Sequence, residues 1–375
     1  MYRSTLCYIR CNNRILMLFR DKKEADINKG KWIGVGGKFK DGEQAGNCLR
    51  REVREETGLE PASFAFRGII LFRDIPEDGC EVCEEMYLYT ADISEEEASH
   101  ICSCDEGTLR FIPEDEIMDL PLWEGDRVFL RDILEDRKRI SYELTYKKGK
   151  LADVKKTGVR NVIFDLDGTV SDSGEGIMRS AAYALNAFGF EVSDYRELSF
   201  FVGPPLLYTF TKMYGVSEDK ARKMIEKYRE RYNDIGAYEN ELYPGVKECL
   251  IKLREEGYTI ALGSSKPEHM CRKILEHFGI LDLFDEVTGS TPDGAIDSKS
   301  EVLCELIRRR GDDPRFLAES VLVGDTHFDV DGAMDIGKSC IGVSFGYGEA
   351  GELKDLGAVA VADSFEEIYD IVTGL

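Results

Sequence analysis

Positive charge is scarce in this sequence: 49 Lys and Arg stand against 72 Asp and Glu, a net charge of −23 over 375 residues. So acidic a chain is excluded as a sequence-blind coat for DNA or RNA and as a binder of acidic membranes, since both need a basic surface. Small anionic substrates stay open, because a bound metal ion can reverse the sign of a site. No apolar run reaches membrane-spanning length. The opening stretch, MYRSTLCYIRCNNRILMLFR, interrupts its apolar positions with Arg and Asn, so it lacks the core of a signal peptide. Internal repeats and low-complexity tracts are missing too. Eleven cysteines, an odd number scattered through a large chain, fit reduced thiols and a cytoplasmic protein better than a disulfide framework.

What is present is globular in composition, 43% hydrophobic and 32% charged, and long enough for two cores. Residues 1–157 alternate β-rich runs with one strong helix. TLCYIRC and RILMLFR flank an Asn12-Asn13 turn and read as a strand pair. Glu43 to Thr57 reads as a helix stopped by Gly58. FRGIILF, MYLYTADI and TLRFIP read as strands, RVFLRDIL as an amphipathic helix, and SYELTY with LADVKK as a closing hairpin. Cys80-x-x-Cys83 and Cys102-x-Cys104, with His100 beside them, have a spacing that four zinc-bound thiolates could use; ordinary cysteines are the preferred reading.

Residues 158–375 change pattern. VIFDLD, TIALGSS, VLVGD, CIGVSF and AVAV are short apolar runs, the mark of strands buried on both faces of a parallel sheet, and helical stretches separate most of them. The alternation predicts a doubly wound α/β domain. Between the first two runs, Gly176–Phe188, Leu207–Met213 and Asp219–Ile235 read as helices, a lid or cap spanning about 172–243. The junction LADVKKTGVR carries no long Ser/Gly/Pro linker, so two closely neighbouring domains are expected.

Two constellations carry chemistry. Glu52, Glu55 and Glu56 stand at i, i+3 and i+4, on one helix face. A solvated acidic face is one account of such a run; hard oxygen ligands for Mg²⁺ are the other. The full pattern decides between them. Gly37, Glu43, Arg51-Glu52-Val53, Glu55-Glu56 and Gly58-Leu59 match the Nudix hydrolase signature, G-x5-E-x7-R-E-U-x-E-E-x-G-U with U apolar, at every position. The resemblance implies an α/β/α sandwich that hydrolyses a nucleoside diphosphate linked to another group. It makes Glu52, Glu55 and Glu56 metal ligands, often joined by the Gly37 carbonyl, with Arg51 orienting the carboxylates and Glu55 and Glu56 in the catalytic set. Lys31-Trp32-Ile33-Gly34-Val35-Gly36-Gly37-Lys38 and Leu120–Asp126 look like the MutT-type branch acting on oxidised purine nucleoside triphosphates. There Trp123 would stack on the base, Asp126 would bond its edge and Lys38 would contact substrate; a structural aromatic is the other account of Trp123. Ile33 stands where relatives with oxidised-purine recognition carry asparagine, which weakens that assignment. Pro76 lies near a proline common in ADP-ribose-cleaving members.

In the second half, Asn161–Phe164 leads into Asp165-Leu166-Asp167-Gly168-Thr169. Two carboxylates two residues apart at a strand end can share a metal while one attacks and the other exchanges a proton. An Asp-Gly turn would explain this motif alone, but Ser264, Lys299 and Asp325 with Asp329 follow in order, each near a strand or helix end. Together they look like the four motifs of the haloacid dehalogenase superfamily, with Lys299 taken in preference to Lys266. The resemblance makes Asp165 the nucleophile, Asp167 the general acid/base and Ser264 and Lys299 the phosphate-binding pair. Gly168 and Thr169 would lie against substrate, and Asp165, Asp325, Asp329 and the Asp167 carbonyl would hold Mg²⁺, or Mn²⁺ in its place. Val202–Pro205 and Tyr243–Val246 resemble phosphoglycolate-phosphatase-like and 5′-nucleotidase-like members with a small helical cap. His327 and Cys340 have ordinary structural readings.

The expectation is a bifunctional hydrolase of small molecules: one half cleaves a nucleoside triphosphate to monophosphate and pyrophosphate, and the other dephosphorylates a phosphomonoester such as that monophosphate. A nucleic-acid polymer or a membrane is not expected as partner. The alternatives are an ADP-ribose or nucleotide-sugar pyrophosphatase fused to a sugar-phosphate phosphatase, and a nucleotide-sensing regulatory module.

Overall fold

The computed structural model describes residues 2–22, 24, 26–76, 81–292 and 294–375. The chain divides into two units, Met1–Gly158 with Met334–Ser339 and Val159–Ala333 with Cys340–Leu375.

In the first unit, β1 (Tyr2–Cys11) and β2 (Arg14–Phe19) pair antiparallel, and Asn12 supplies the left-handed residue their turn needs, at φ 53°. β3 (Trp32–Ile33), α1 (Ala45–Thr57), β4 (Ala65–Ile75), β5 (Val82–Asp92), α2 (Glu95–Ala98), β6 (Thr108–Pro113), α3 (Asp126–Leu134), β7 (Tyr142–Lys147) and β8 (Lys150–Lys156) follow. One sheet runs β3-β2-β1-β5-β4-β7-β8, with β6 added on β2. Alternation along β1 divides its two faces. Leu6 and Tyr8 join the core that holds Phe129, Leu130 and Ile133 of α3. Thr5 points the other way, and its hydroxyl lies 3.6 Å from Cys48 of α1. The sheet is therefore layered between the two helices. Helix α1 begins two residues later than Glu43, whose carboxylate accepts the Lys40 N–H and so belongs to the turn before it. It ends where expected, on Gly58 at φ 76° with its N–H bonded to the Arg54 carbonyl.

The second unit contains β9 (Asn161–Phe164), β10 (Ser171–Asp172), α4 (Gly174–Ala187), α5 (Leu206–Tyr214), α6 (Glu218–Tyr232), β11 (Glu241–Leu242), α7 (Val246–Glu255) and β12 (Thr259–Pro267). It continues through α8 (Glu268–His277), β13 (Glu286–Ser290), α9 (Lys299–Arg309), α10 (Pro314–Ala318) and β14 (Ser320–Gly324). α11 (His327–Asp335) and β15 (Ser339–Val343), whose residues 334–335 and 339 are counted with the first unit, α12 (Ala350–Asp355), β16 (Ala360–Ala362) and α13 (Phe365–Gly374) complete it. The sheet order is β13-β12-β9-β14-β15-β16, and β9 pairs in parallel with both β12 and β14. Strand order reverses between β9 and β14, which opens a crevice beyond their carboxyl ends, the place where such sheets bind ligands. β13 is the one sheet strand that the apolar pattern misses: its sequence, EVTGS, contains a single large apolar residue. The helical insert α4–α6 leaves and returns through a two-residue antiparallel ladder, Ser171 opposite Leu242 and Asp172 opposite Glu241. No helix among the described residues is long and apolar enough to cross a membrane.

Candidate active sites

The crevice between β9 and β14 collects the acidic residues of the second unit. Asp165 follows β9 and Asp325 follows β14; with Asp329 of α11 they form three buried carboxylates whose oxygens lie within 4.8 Å of one another. Two charges that close repel by about 3.5 kcal/mol at an effective dielectric near 20, so the cluster needs positive charge. Lys299, at the first position of α9, supplies part of it: its ammonium lies 2.6 Å from Asp165 Oδ1 and 2.8 Å from Asp329 Oδ1, and it also donates to the Gly263 carbonyl at 3.0 Å. Burial pushes Asp165 up to about 6, against the pull of Lys299 and with help from Asp329 and Asp167. Asp325 is raised by burial and then by Asp329 and Asp165. Lys299 is held above its ordinary value because Asp165 and Asp329 outweigh its own burial. Three oxygen ligands facing a single ammonium leave excess negative charge, a donor set that fits a hard divalent cation.

Close packing shapes this pocket. Gly168 sits at φ 79°, and a Cβ there would stand 2.0 Å from Asp325 Oδ2. Asp325 accepts the buried Thr169 hydroxyl at 3.2 Å and the Tyr347 N–H at 2.8 Å. The Thr326 N–H and hydroxyl both donate to Asp329 Oδ2 at 3.0 Å. The Asp167 side chain turns elsewhere: it accepts the Ser173 hydroxyl at 2.5 Å and pairs with Lys266 at 2.7 Å. Ser264 is buried at the end of the apolar part of β12.

In the first unit, the chain around Gly36 and Gly37 runs against the face of α1. A Cβ on Gly37 would meet the Glu52 carboxyl carbon at 2.5 Å, and one on Gly36 would meet the Thr5 carbonyl oxygen at 2.1 Å. Arg51 organises the acidic face. It grips Glu43 with two bonds of 2.8 Å, then reaches Glu52 at 2.5 Å, Glu55 at 3.3 Å and the Lys38 carbonyl at 3.2 Å. These contacts hold Glu43 down to about 2. Glu56 turns inward and accepts the Gly36 N–H at 2.9 Å. Burial pushes it up to about 8 against that bond, with Glu106 and Glu52 adding to the rise. The Gly37 carbonyl accepts the Thr5 N–H at 2.9 Å.

A haloacid dehalogenase-like hydrolase model matches residues 162–343, and a NUDIX domain model matches residues 1–133. A 5′-nucleotidase from Pseudomonas aeruginosa is 40% identical over 195 residues, 52% of this chain and 86% of that protein. The chain joins a NUDIX domain to a haloacid dehalogenase-like hydrolase. The solved structure of a predicted phosphatase from Clostridium acetobutylicum matches this hydrolase with a TM-score of 0.55 and 35% identity, over 58% of the chain and 100% of that structure. The tyrosine-protein kinase PtkA of Mycobacterium tuberculosis is 40% identical over 189 residues, 50% of this chain and 63% of that protein.

The two sites gather their expected residues differently. In the haloacid dehalogenase-like unit, Asp165, Asp325, Asp329 and Lys299 converge, with Thr169 and Gly168 against Asp325. The Asp167 carboxylate does not join them, so any metal contact from this residue falls to its carbonyl. In the NUDIX unit, Glu52, Glu55 and Glu56 share a helix, but their carboxylates are not drawn to one point: among the described residues the aspartate trio is the one acidic or thiol group with ligand spacing. Cys83, Cys102 and Cys104 form no such group, and Cys80 lies outside the described residues. Lys38 is exposed, its ammonium 4.4 Å from the Tyr2 ring centroid. Trp123 is half-buried rather than core; it donates to Asn28 at 2.9 Å, with the Lys31 ammonium 5.2 Å from its ring. Burial pushes Asp126 up to about 7, with Glu84 adding and Lys31 opposing. Sequence reasoning passed over Ser173, Thr326 and Tyr347, and it weighed Lys266 only as a substitute for Lys299. The His327 ring lies against that of Phe328, tilted with centroids 4.0 Å apart, and Cys340 is buried in β15, both structural placements.

Proposed function

We propose that the two units are independent magnesium-dependent hydrolases acting on nucleotides, with the product of one as substrate of the other. The haloacid dehalogenase-like unit would hydrolyse a phosphomonoester, a nucleoside monophosphate in particular. The observation that carries this is the pairing of two aspartates, two residues apart, with two different lysines, Asp165 with Lys299 and Asp167 with Lys266, which supports separate roles of nucleophile and acid. In the first step an Asp165 oxygen bonds to phosphorus, the ester P–O bond breaks, and the departing oxygen takes a proton from Asp167. In the second, water attacks the aspartyl-phosphate, gives its proton to Asp167 and frees Asp165 with inorganic phosphate. Lys299 and Ser264 hold the phosphoryl oxygens, and the backbone at Gly168 and Thr169 comes close to them. Mg²⁺ or Mn²⁺, held by Asp165, Asp325, Asp329 and the Asp167 carbonyl, would neutralise the phosphoryl charge when bound.

The NUDIX unit would split a nucleoside triphosphate, oxidised purine deoxynucleotides among them, into monophosphate and pyrophosphate. Glu52, Glu55, Glu56 and the Gly37 carbonyl would be its metal-binding set, and Glu55 and Glu56 would belong to the catalytic set. Trp123 offers a half-open aromatic face, Asp126 a buried carboxyl for a base edge, and Lys38 an exposed charge for the phosphates. The name of the Pseudomonas relative, 5′-nucleotidase, supports a nucleotide for the second unit. The ten described cysteines are all free thiols, which supports a cytoplasmic setting.

A ³¹P-resolved screen of nucleoside tri- and monophosphates with Mg²⁺ tests the proposal on the full chain. Asp165→Asn should lower phosphate release from monophosphates by about 10⁴-fold or more while pyrophosphate release persists, and Glu56→Gln should do the converse by about 10³-fold. Loss of both reactions in both variants would show that the sites are not independent.

A further inference from the structure

Lys266 is an expensive residue to bury, and its ammonium takes no part in the Asp165 cluster. Its side chain is 6% exposed, ion-paired at 2.7 Å with an Asp167 carboxylate that is itself 10% exposed. Ser173 fixes the other Asp167 oxygen, so both oxygens of the expected acid are immobilised. On its far side the ammonium lies 4.8 Å from the ring centroid of Tyr232, at the end of α6 in the helical insert. Tyr232 stacks on Tyr228 with ring centroids 5.2 Å apart.

We infer that Lys266 is a positioning residue: it aims Asp167 at the leaving-group oxygen and is itself held by the Tyr232 ring of the insert. The inference rests on the reading of Asp167 as the acid of the monoesterase. Lys266 on one oxygen and Ser173 on the other hold the Asp167 carboxyl group in one orientation, so the acid is set before substrate arrives. The insert thereby reaches the acid through one cation and one ring.

Leaving groups separate this role from a purely structural one. An alcohol must be protonated as it departs; p-nitrophenolate need not be. For the full chain, Lys266→Met should lower kcat/KM for guanosine 5′-monophosphate by about 10²-fold but for p-nitrophenyl phosphate by less than about fivefold. Lys266→Arg should restore part of the lost ratio, and Tyr232→Leu should shift it in the same sense by a smaller factor. If Lys266→Met does not fold by calorimetry, the ratio is read from Lys266→Arg and Tyr232→Leu. Equal losses on both esters, or no loss on either, would overturn the inference. Asp167→Asn serves as the control. If it too affects both esters alike, or if the native chain hydrolyses neither, the reading of Asp167 falls and takes the inference with it. If it discriminates while the Lys266 and Tyr232 variants do not, only the inference falls.

Discussion

The two acidic sites solve the same electrostatic problem in opposite ways. The aspartates of the second unit are buried, come from separate elements and converge around an internal cation, Lys299. The glutamates of the first unit share one helix and stay apart: Glu55 is 51% exposed, Glu52 is tied to Arg51, and Glu56 faces the interior. Convergence in a low-dielectric crevice requires a counter-ion built into the fold, whereas the glutamates are each answered separately, Glu52 by Arg51, Glu56 by the Gly36 N–H and Glu55 largely by water, until a metal gathers them. The aspartate cluster should therefore stand assembled without metal, at a cost in stability, and the glutamate set should be completed by the ion.

Removing the internal cation tests this contrast hardest. Lys299→Met leaves three buried carboxylates unanswered, and calorimetry should show the second unit destabilised by about 3–5 kcal/mol, with Mg²⁺ recovering much of the loss. An unchanged transition would mean that the cluster does not depend on its lysine. The next effect concerns Glu56. Because its pKa is raised to about 8 from an ordinary 4.5, the folded protein holds that proton longer than the unfolded chain. Its contribution to stability is thus intact below about pH 4.5 and falls away as pH rises to about 8. Glu56→Gln mimics the protonated form, so metal-free protein should gain on the order of 4 kcal/mol at pH 8.5 and almost nothing at pH 4.5. Both tryptophans, Trp32 and Trp123, belong to the first unit, so their fluorescence in a denaturant titration follows that unit alone. The smallest effect is expected at Arg51. Arg51→Lys gives up the two-bond grip on Glu43 and should weaken Mn²⁺ binding by the NUDIX unit about 10- to 100-fold, measured by titration calorimetry on the Asp325→Asn background to suppress the other site.

How much of this could be read beforehand follows from where each partner lies. The glutamate motif was legible because helical spacing fixes its residues within one element, and Asp165 and Asp325 because each follows an apolar run with the pattern of a buried strand. What the residues do to one another was less legible. Lys266 meets Asp167 only because β12 lies beside β9, and Tyr347 reaches Asp325 from a loop that no spacing rule ties to β14. The strand β13 was hidden by its polar composition, as the inward turn of Glu56 was by its resemblance to the solvated glutamate next to it. The thiol spacing that suggested zinc is an example of the reverse, a pattern along the chain that gathers no ligand group among the described residues.

The helical insert is entered and left through one two-residue ladder, Ser171–Asp172 against Glu241–Leu242, while its apolar residues pack into the same core as β9 and β12. A segment with a single entry point can be exchanged for that of a relative without re-registering the parallel strands that carry the aspartates, so long as its core-facing residues are kept. Substrate preference can then drift, or be engineered, by swapping residues 173–240 as one module, provided that the new module again offers a ring to Lys266.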